Sequence, residues 1–286
     1  MLERIARPLS GLTHGIAGVV DATYRVLGRP GKLLQDFLNG SWMGHALHPV
    51  IVDVVVGGST AAVLLLVLSW FGVQGLYVPM AWILALSCLA ALAAIVTGLT
   101  DFKDTFGEEM DVAGLHGVTN IIGTAGLVVA FFGALLESPV LLGVFLLGSY
   151  GVLSVGAFIG GHVVFKFGSM VNRNAFSGGK RAKEFTAVAA ANEVPDDAPT
   201  KVMLGATALV VVRRGDVAYA LKDTCSHAGT SLATGRLEGD TIVCPTHGSA
   251  FRLADGAVRH GPATTRQVSY EARVNGDQVE VRGPNG

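Results

Sequence analysis

Two cysteines and two histidines near the C-terminal end have the spacing of a metal site. Cys225 is followed by His227, and Cys244 is followed by His247, with sixteen residues between the two pairs. Thiolate sulfur and imidazole nitrogen are common protein ligands of transition metals. The chain has only three cysteines, and their placement does not suit a disulfide framework. We therefore expect these four side chains to bind metal.

The stretch that contains the four residues, TCSHAGTSLATGRLEGDTIVCPTHGSAF at 224–251, resembles the Rieske family of [2Fe–2S] proteins. The resemblance extends over the soluble part of the chain, including the glycine after the second histidine and a Gly-Pro-Ala loop further on. It implies that Cys225 and Cys244 bind one iron, and that His227 and His247 bind the other.

A structural zinc site is the alternative, because zinc is also bound by two cysteines and two histidines. Zinc motifs usually pair cysteine with cysteine and histidine with histidine along the sequence. In this chain each pair combines one cysteine with one histidine. The spacing therefore favours the two-iron centre.

Residues around the ligands bear on the reduction potential. High-potential Rieske proteins carry a further cysteine in each loop, and the two form a disulfide; Thr230 and Thr246 stand at those positions here. Ser249 matches a serine that hydrogen-bonds cluster sulfur in those members, which raises the potential. Phe251 stands where they often have tyrosine, so one donor is missing. We expect an intermediate potential.

The ligand loops must be held by a β-rich domain. Short runs rich in Val, Thr and Tyr alternate with turn pairs such as Asn275-Gly276, which predicts strands. The predicted strands are 201–204, 209–213, 217–221, 241–243, 267–273 and 278–281. We assign residues 184–286 to an all-β Rieske domain, preceded by a polar, Gly-rich linker at 171–183.

The residues before the linker are far more apolar. Hydrophobic residues make up 50% of the whole chain and charged residues only 15%, against roughly 25% charged in an ordinary soluble protein. Four apolar runs are each close to the ~20 residues that cross a bilayer; they lie at 50–71, 77–100, 117–136 and 140–159. We predict an all-α, four-helix transmembrane bundle at 45–170.

Residues 1–44 form an amphipathic N-terminal segment. Its apolar residues follow a helical period, and Arg29-Pro30-Gly31 interrupts it. It is predicted either to lie on the membrane surface or to cap the bundle as a surface helix. Basic residues cluster before the first apolar run and after the fourth, which places both termini and the Rieske domain on the cytoplasmic side of the cell (inner) membrane.

Several ionisable residues are predicted to meet at the end of the bundle nearest the Rieske domain. His45, His48, His116 and His162 lie at the ends of the apolar runs, and Asp53 lies one turn inside the first. An ionisable residue within a span is a functional hypothesis by default. The group could ligate haem b, bind a metal or form a quinone pocket. Alternatively, the histidines cap helix ends and hydrogen-bond one another.

The bundle region also resembles an uncharacterised bacterial four-helix membrane domain family. The resemblance rests on GHALHP at 44–49, where the family usually has proline in place of Ala46. It also rests on the residues at 98–102, on His116 with Asn120, and on Gly-Gly-His at 160–162. That family has no established activity, so the resemblance implies a fold and no function.

The first functional hypothesis is a membrane redox module. An oxidoreductase component of this kind would transfer single electrons between a donor protein and an acceptor in the lipid bilayer, such as a quinone or haem. The alternatives are a ferredoxin-like donor to an oxygenase and a redox sensor. The net charge of −1, without a basic patch, gives no sign of a nucleic-acid partner. The oligomeric state stays open.

Overall fold

The computed structural model describes residues 1–176 and 182–284. Two compact units account for the contacts within the chain. The first comprises Met1–Gly31 and Ala46–Ser169, and the second comprises Lys32–His45 and Met170–Gly286. The domain boundaries predicted from the sequence stay predictions, and the middle of the predicted linker, 177–181, lies outside the described residues.

The first unit is helical and contains four long apolar helices, as predicted. A short helix α1 (Leu2–Ala6) is followed by α2 (Ser10–Asn39), which continues into the second unit. The long helices are α3 (Leu47–Trp70), α4 (Tyr77–Phe102), α5 (Gly107–Leu135) and α6 (Pro139–His162). Each of these four is long and apolar enough to cross a membrane.

Helix α2 consists of two helical segments joined at a kink. Gly28 adopts φ +58°, ψ −129°, which breaks the helical path. A positive φ of this kind is open to glycine without steric cost. Pro30 follows two residues later and removes a backbone donor. The break predicted around residue 29 is therefore present, one residue earlier than the sequence pattern placed it.

Small and aliphatic residues fill the core of the helical bundle. Fully buried side chains from all four long helices pack into one cluster that includes Ala62, Leu84, Leu127 and Leu146. At most 39% of the most apolar stretch of each helix is buried within the protein. The remaining apolar side chains form an outer surface of a kind that soluble monomers rarely expose.

The second unit is β-rich and antiparallel, with two sheets. The larger sheet has the order β1-β10-β9-β4-β3-β2 and the smaller has the order β5-β6-β7-β8. The larger sheet contains β1 (Ala182–Ala190), β2 (Thr200–Leu204), β3 (Thr207–Arg214), β4 (Val217–Lys222), β9 (Ser269–Asn275) and β10 (Gln278–Gly283). The smaller contains β5 (Arg236–Glu238), β6 (Thr241–Val243), β7 (Ala250–Arg252) and β8 (Val258–His260).

The predicted strands correspond to β2, β3, β4, β6, β9 and β10. Strands β1, β5, β7 and β8 were not predicted. β1 has nine residues and begins inside the predicted linker, whereas β5, β7 and β8 have three residues each. Three residues are too few to show an alternating pattern. Their pairing depends on contacts with β6 and with each other. The fold class, a helical region with four apolar helices followed by a β-rich domain, is confirmed.

Candidate metal centre

The four motif residues lie in two loops that flank β5 and β6. Cys225 and His227 are in the loop after β4, and Cys244 and His247 are in the loop between β6 and β7. Both cysteines are buried, with 1% and 2% of their surface exposed. The histidines are half-buried. The loops therefore place the sulfurs inside the domain and the rings nearer its surface.

The two loops have the same backbone hydrogen bonds. The Cys225 N–H donates to the Thr230 carbonyl at 2.9 Å, and the Cys244 N–H donates to the Ser249 carbonyl at 2.8 Å. In each loop a glycine N–H donates back to the cysteine carbonyl, from Gly229 at 3.0 Å and from Gly248 at 3.1 Å.

Both of these glycines have a positive φ, +82° at Gly229 and +74° at Gly248. A residue with a Cβ rarely adopts this conformation, so glycine is what lets each loop close. The two cysteines are therefore presented by nearly identical turns.

The motif side chains meet in like pairs. Cys225 and Cys244 lie in one buried cluster, and the interaction between the two side chains raises the pKa of Cys225 and lowers the pKa of Cys244. The rings of His227 and His247 are nearly perpendicular, with centroids 4.9 Å apart. Nowhere in residues 1–176 and 182–284 are three or more His, Cys, Asp or Glu side chains placed to hold one ion. A two-iron Rieske centre requires this grouping, because two sulfurs bind one iron and two imidazole rings bind the other.

The side chain of Gln267 holds the backbone of the first loop, which contains Cys225, through three hydrogen bonds. Its amide nitrogen donates to the carbonyls of Lys222 (2.5 Å) and Thr224 (2.6 Å), and its amide oxygen accepts from the Ser226 N–H at 3.0 Å. Only 2% of Gln267 is exposed. These bonds hold the backbone on both sides of Cys225, so we regard Gln267 as the main support of that loop.

Asp223 supports the other side of the same loop. Its carboxylate accepts from the Ser231 hydroxyl at 2.8 Å and from the Ala233 N–H at 2.9 Å, and Lys201 forms an ion pair with it at 3.1 Å. A buried carboxylate is stable only when its oxygens are satisfied in this way. The sequence analysis did not identify Asp223 or Gln267, because neither type at those positions forms a recognised pattern.

A segment ahead of β1 also contacts the first loop. The Arg173 N–H donates to the Ser226 carbonyl at 3.0 Å, and the Asn174 amide donates to the Thr224 carbonyl at 2.9 Å. Both residues fall in the region predicted as linker. They therefore pack against the candidate metal centre as part of the second unit.

Ser249 is fully buried beneath the second loop. Its hydroxyl oxygen accepts from the Ala263 N–H at 3.1 Å, which leaves the hydroxyl proton free to donate elsewhere. Gly261 lies close by, with φ +101°, and a Cβ there would come within 2.6 Å of the Ser249 Cα. Glycine at 261 therefore lets the Gly-Pro-Ala loop approach the ligand loop.

Thr230 and Thr246 stand where high-potential Rieske proteins have the two cysteines of a disulfide, and here a hydrogen bond links them instead. The hydroxyls of Thr230 and Thr246 are 2.7 Å apart, within hydrogen-bond distance, one from each loop. The two threonines therefore tie the loops together without a covalent bond.

The side chain of His260 has an aspartate partner from a distant part of the chain. Its Nδ1 lies 2.8 Å from the Asp36 carboxylate, which also accepts from the Gly261 N–H at 3.0 Å. Asp36 belongs to the helical segment of the second unit. No sequence pattern could show this pair, because the two residues are far apart in the chain.

In the helical unit, two of the predicted bundle residues meet. His48 and His116 are in edge contact, with ring centroids 6.2 Å apart. His162 is instead bonded to Glu3 at 3.2 Å, and Asp53 is exposed. His45 is exposed and belongs to the second unit. The shared site predicted for all five ionisable residues stays a prediction.

Comparison with known proteins places the second unit in a family. The profile of the Rieske [2Fe-2S] domain matches residues 184–271. Ferredoxin CarAc from Metapseudomonas resinovorans is 42% identical over 80 residues, which cover 28% of this chain and 75% of the relative. The ferredoxin subunit of anthranilate 1,2-dioxygenase from Burkholderia cepacia is 32% identical over 98 residues, 34% of this chain and 91% of the relative.

Two solved structures also match part of this chain. The complex of reduced oxygenase and oxidized ferredoxin in carbazole 1,9a-dioxygenase contains a chain 37% identical to this one, with 36% of this chain and 95% of that chain covered and a TM-score of 0.33. The ferredoxin of carbazole 1,9a-dioxygenase from Nocardioides aromaticivorans IC177 is 28% identical, with 35% and 99% covered and a TM-score of 0.34.

The helical N-terminal region has no matching family profile, so its resemblance to a membrane domain family stays a prediction. For the C-terminal domain, two relatives above 30% identity are covered over most of their length. A [2Fe–2S] cluster and electron transfer are what this relationship implies. The chain belongs to the Rieske [2Fe–2S] domain family.

Proposed function

We propose that this protein is a membrane-anchored Rieske protein that transfers single electrons between a donor and a membrane-associated acceptor. The observation that carries the proposal is the like-with-like pairing of the motif side chains. The two cysteines lie in one buried cluster, and the centroids of the two imidazole rings are 4.9 Å apart. Both pairs belong to the chain that also contains four helices able to span a bilayer.

The side chains fit the cluster that the family implies. Cys225 and Cys244 would hold one iron, and His227 and His247 would hold the second. The Nδ1 atoms of both histidines are buried, so they are sheltered from water as ligand atoms should be. The cluster supplies a centre that takes up and releases one electron. The chain positions it at half-buried histidines, where a partner can approach.

The four apolar helices would anchor the domain in the cell (inner) membrane, with both termini on the cytoplasmic side. The acceptor would then be confined to the membrane; a quinone diffuses within it, and a haem would be bound there. Confinement to a surface raises the effective concentration of both partners, much as a tether does.

A ferredoxin that donates electrons to an oxygenase is the second candidate. The ferredoxin subunit of anthranilate 1,2-dioxygenase is 32% identical to this chain, and that name favours this alternative. Under it the helices serve only as an anchor.

Full-length protein in lipid vesicles distinguishes the two candidates. The cluster is reduced chemically, and its reoxidation is followed by EPR in vesicles with and without a long-chain quinone. A soluble oxygenase component with its substrate is added to quinone-free vesicles in a parallel sample. We expect quinone to accelerate reoxidation at least tenfold. Acceleration by the oxygenase alone would support the second candidate, and no effect of either would contradict both.

Ser249→Ala is expected to lower the reduction potential. A serine hydroxyl that donates to cluster sulfur stabilises the reduced form, which carries more negative charge. One hydrogen bond of about 1–1.5 kcal/mol corresponds to roughly 60 mV for a one-electron couple. Redox titration of the EPR signal measures the shift.

Ser269→Ala is the control for this substitution. Ser269 is a buried serine of β9 in the same domain, so its loss tests the general effect of removing a hydroxyl. Its potential should match that of the unmodified protein. Equal potentials for both variants would show that Ser249 does not donate to the cluster.

A further inference from the structure

Two histidines, His48 and His116, form a pair inside the helical bundle. His48, at the start of α3, donates from Nδ1 to the carbonyl of Ala94 in α4 at 2.9 Å. Its ring lies against Gly98, where a Cβ would come within 2.9 Å of the ring carbon Cε1. Thus α4 supplies both a carbonyl and, four residues later, a glycine that makes room for the imidazole.

His116 in α5 is held in the same way by α6. Its Nδ1 donates to the carbonyl of Gly156 at 2.8 Å, and its ring lies against Gly160, where a Cβ would come within 2.7 Å of Cε1. Carbonyl and glycine are again four residues apart. The amide of Asn120 lies 3.1 Å from the same nitrogen, but the shorter contact is to the carbonyl, which can only accept.

A second pair of contacts repeats deeper in the bundle. A Cβ on Gly58 would come within 2.1 Å of the Ser87 hydroxyl, and a Cβ on Gly126 would come within 2.3 Å of the Ser149 hydroxyl. Gly58 follows His48 by ten residues, as Gly126 follows His116. In α4 and in α6, the serine precedes by eleven residues the glycine that contacts the histidine ring.

The α3–α4 and α5–α6 hairpins are therefore two copies of one unit. Identical spacing of histidine, glycine and serine contacts in both hairpins is the sign of an internal repeat, as in membrane proteins built from related halves. His48 and His116 occupy equivalent positions in the two copies. Their rings meet with centroids 6.2 Å apart and planes at 84°, so the pair lies where the two copies come together.

Hydrogen bonding fixes which ring nitrogen is available. A carbonyl oxygen only accepts, so each Nδ1 carries the proton and each Nε2 keeps its lone pair in the neutral ring. Metal-binding histidines almost always donate their other N–H to a carbonyl or carboxylate in this manner, which orients the ring.

We propose that His48 and His116 bind one transition-metal centre through their Nε2 atoms. Two metal–nitrogen bonds of about 2 Å each and the distance from each nitrogen to its ring centre add up to roughly the observed 6.2 Å between ring centroids when both Nε2 atoms face the metal. Two imidazoles suffice as axial ligands of porphyrin iron, and imidazole also suits a bare copper ion. In both cases two imidazoles ligate the metal, and experiment distinguishes porphyrin iron from a bare copper ion. The inference does not depend on the proposed electron-transfer partner.

Full-length protein in detergent is titrated separately with ferric haemin and with cuprous copper. Unbound material is removed, and bound metal is measured by elemental analysis together with the optical spectrum. We expect one further metal per chain beyond the two cluster irons. A sharp Soret band identifies porphyrin iron, and copper without that band identifies a bare ion. Binding of neither probe by the unsubstituted protein overturns the proposal, whatever the variants do.

His116→Ala and His48→Ala are each expected to reduce the bound metal from one per chain to none. Gly160→Ala gives the same result without removing a ligand, because its methyl group displaces the His116 ring. His162→Ala is the matched control; its ring is bonded to Glu3, so this variant should keep the metal. Far-UV circular dichroism reports that the helical unit of each variant is folded, and the Rieske EPR signal reports the same for the second unit. Full metal binding by both histidine variants would contradict the assignment.

Discussion

Cys244→Ser is expected to abolish the Rieske EPR signal and reduce the cluster iron from two per chain to none. The cluster needs both thiolates on one iron, and a serine hydroxyl is not deprotonated at neutral pH as a bound thiol is. Loss of one ligand therefore releases the whole centre. EPR and iron analysis of purified full-length protein measure the effect.

Cys88→Ser is the control, because Cys88 is the third cysteine and lies in α4 of the other unit. It should keep the EPR signal and both irons. A Cys244→Ser protein that retained a Rieske signal would show that this residue is not a ligand. Loss of the signal in the Cys88 variant would show that the assay reports general damage.

Gln267→Leu is expected to destabilise the domain by about 3 kcal/mol or more. The substitution removes the Gln267 partner of the Ser226 N–H and of the Lys222 carbonyl, and one of the two side-chain donors to the Thr224 carbonyl. A buried polar group left unsatisfied costs about 1–3 kcal/mol. For a domain of this size the melting temperature should fall by roughly 15 °C. Bleaching of the cluster absorbance on heating measures the midpoint.

Gln278→Leu provides the comparison, because Gln278 is a half-exposed glutamine at the start of β10 in the same domain. Its midpoint should stay within about 2 °C of the unmodified protein, as is usual for surface substitutions. Similar midpoints for the two variants would mean that the Gln267 hydrogen bonds do not support the first loop.

The ligand loops could be predicted because their chemistry is local. Each places a cysteine and a histidine within four residues of one another, and a glycine follows where the backbone must turn. The residues that support these loops, Gln267 and Asp223, could not be predicted. They form hydrogen bonds to backbone groups of residues that only the fold brings near. No periodicity or motif in the sequence indicates such a bond. Apolar helices, by contrast, are visible from composition alone.

The bundle shows a different limit. Histidines at the ends of apolar runs could be counted from the sequence, but which of them meet depends on how each helix is rotated. His48 and His116 face one another, whereas His162 pairs with Glu3. A glycine that accommodates each ring, at 98 and at 160, is the signal that could have selected the right pair, since the matching spacing is present in the sequence.

The hydroxyl link between Thr230 and Thr246 has a consequence for the conditions in which the domain can work. A disulfide at this place would be open to attack by cellular thiols, and its cleavage would loosen the loops. Two alcohols have no such reaction. The link between the two loops therefore does not depend on whether the surroundings of the domain are reducing or oxidising.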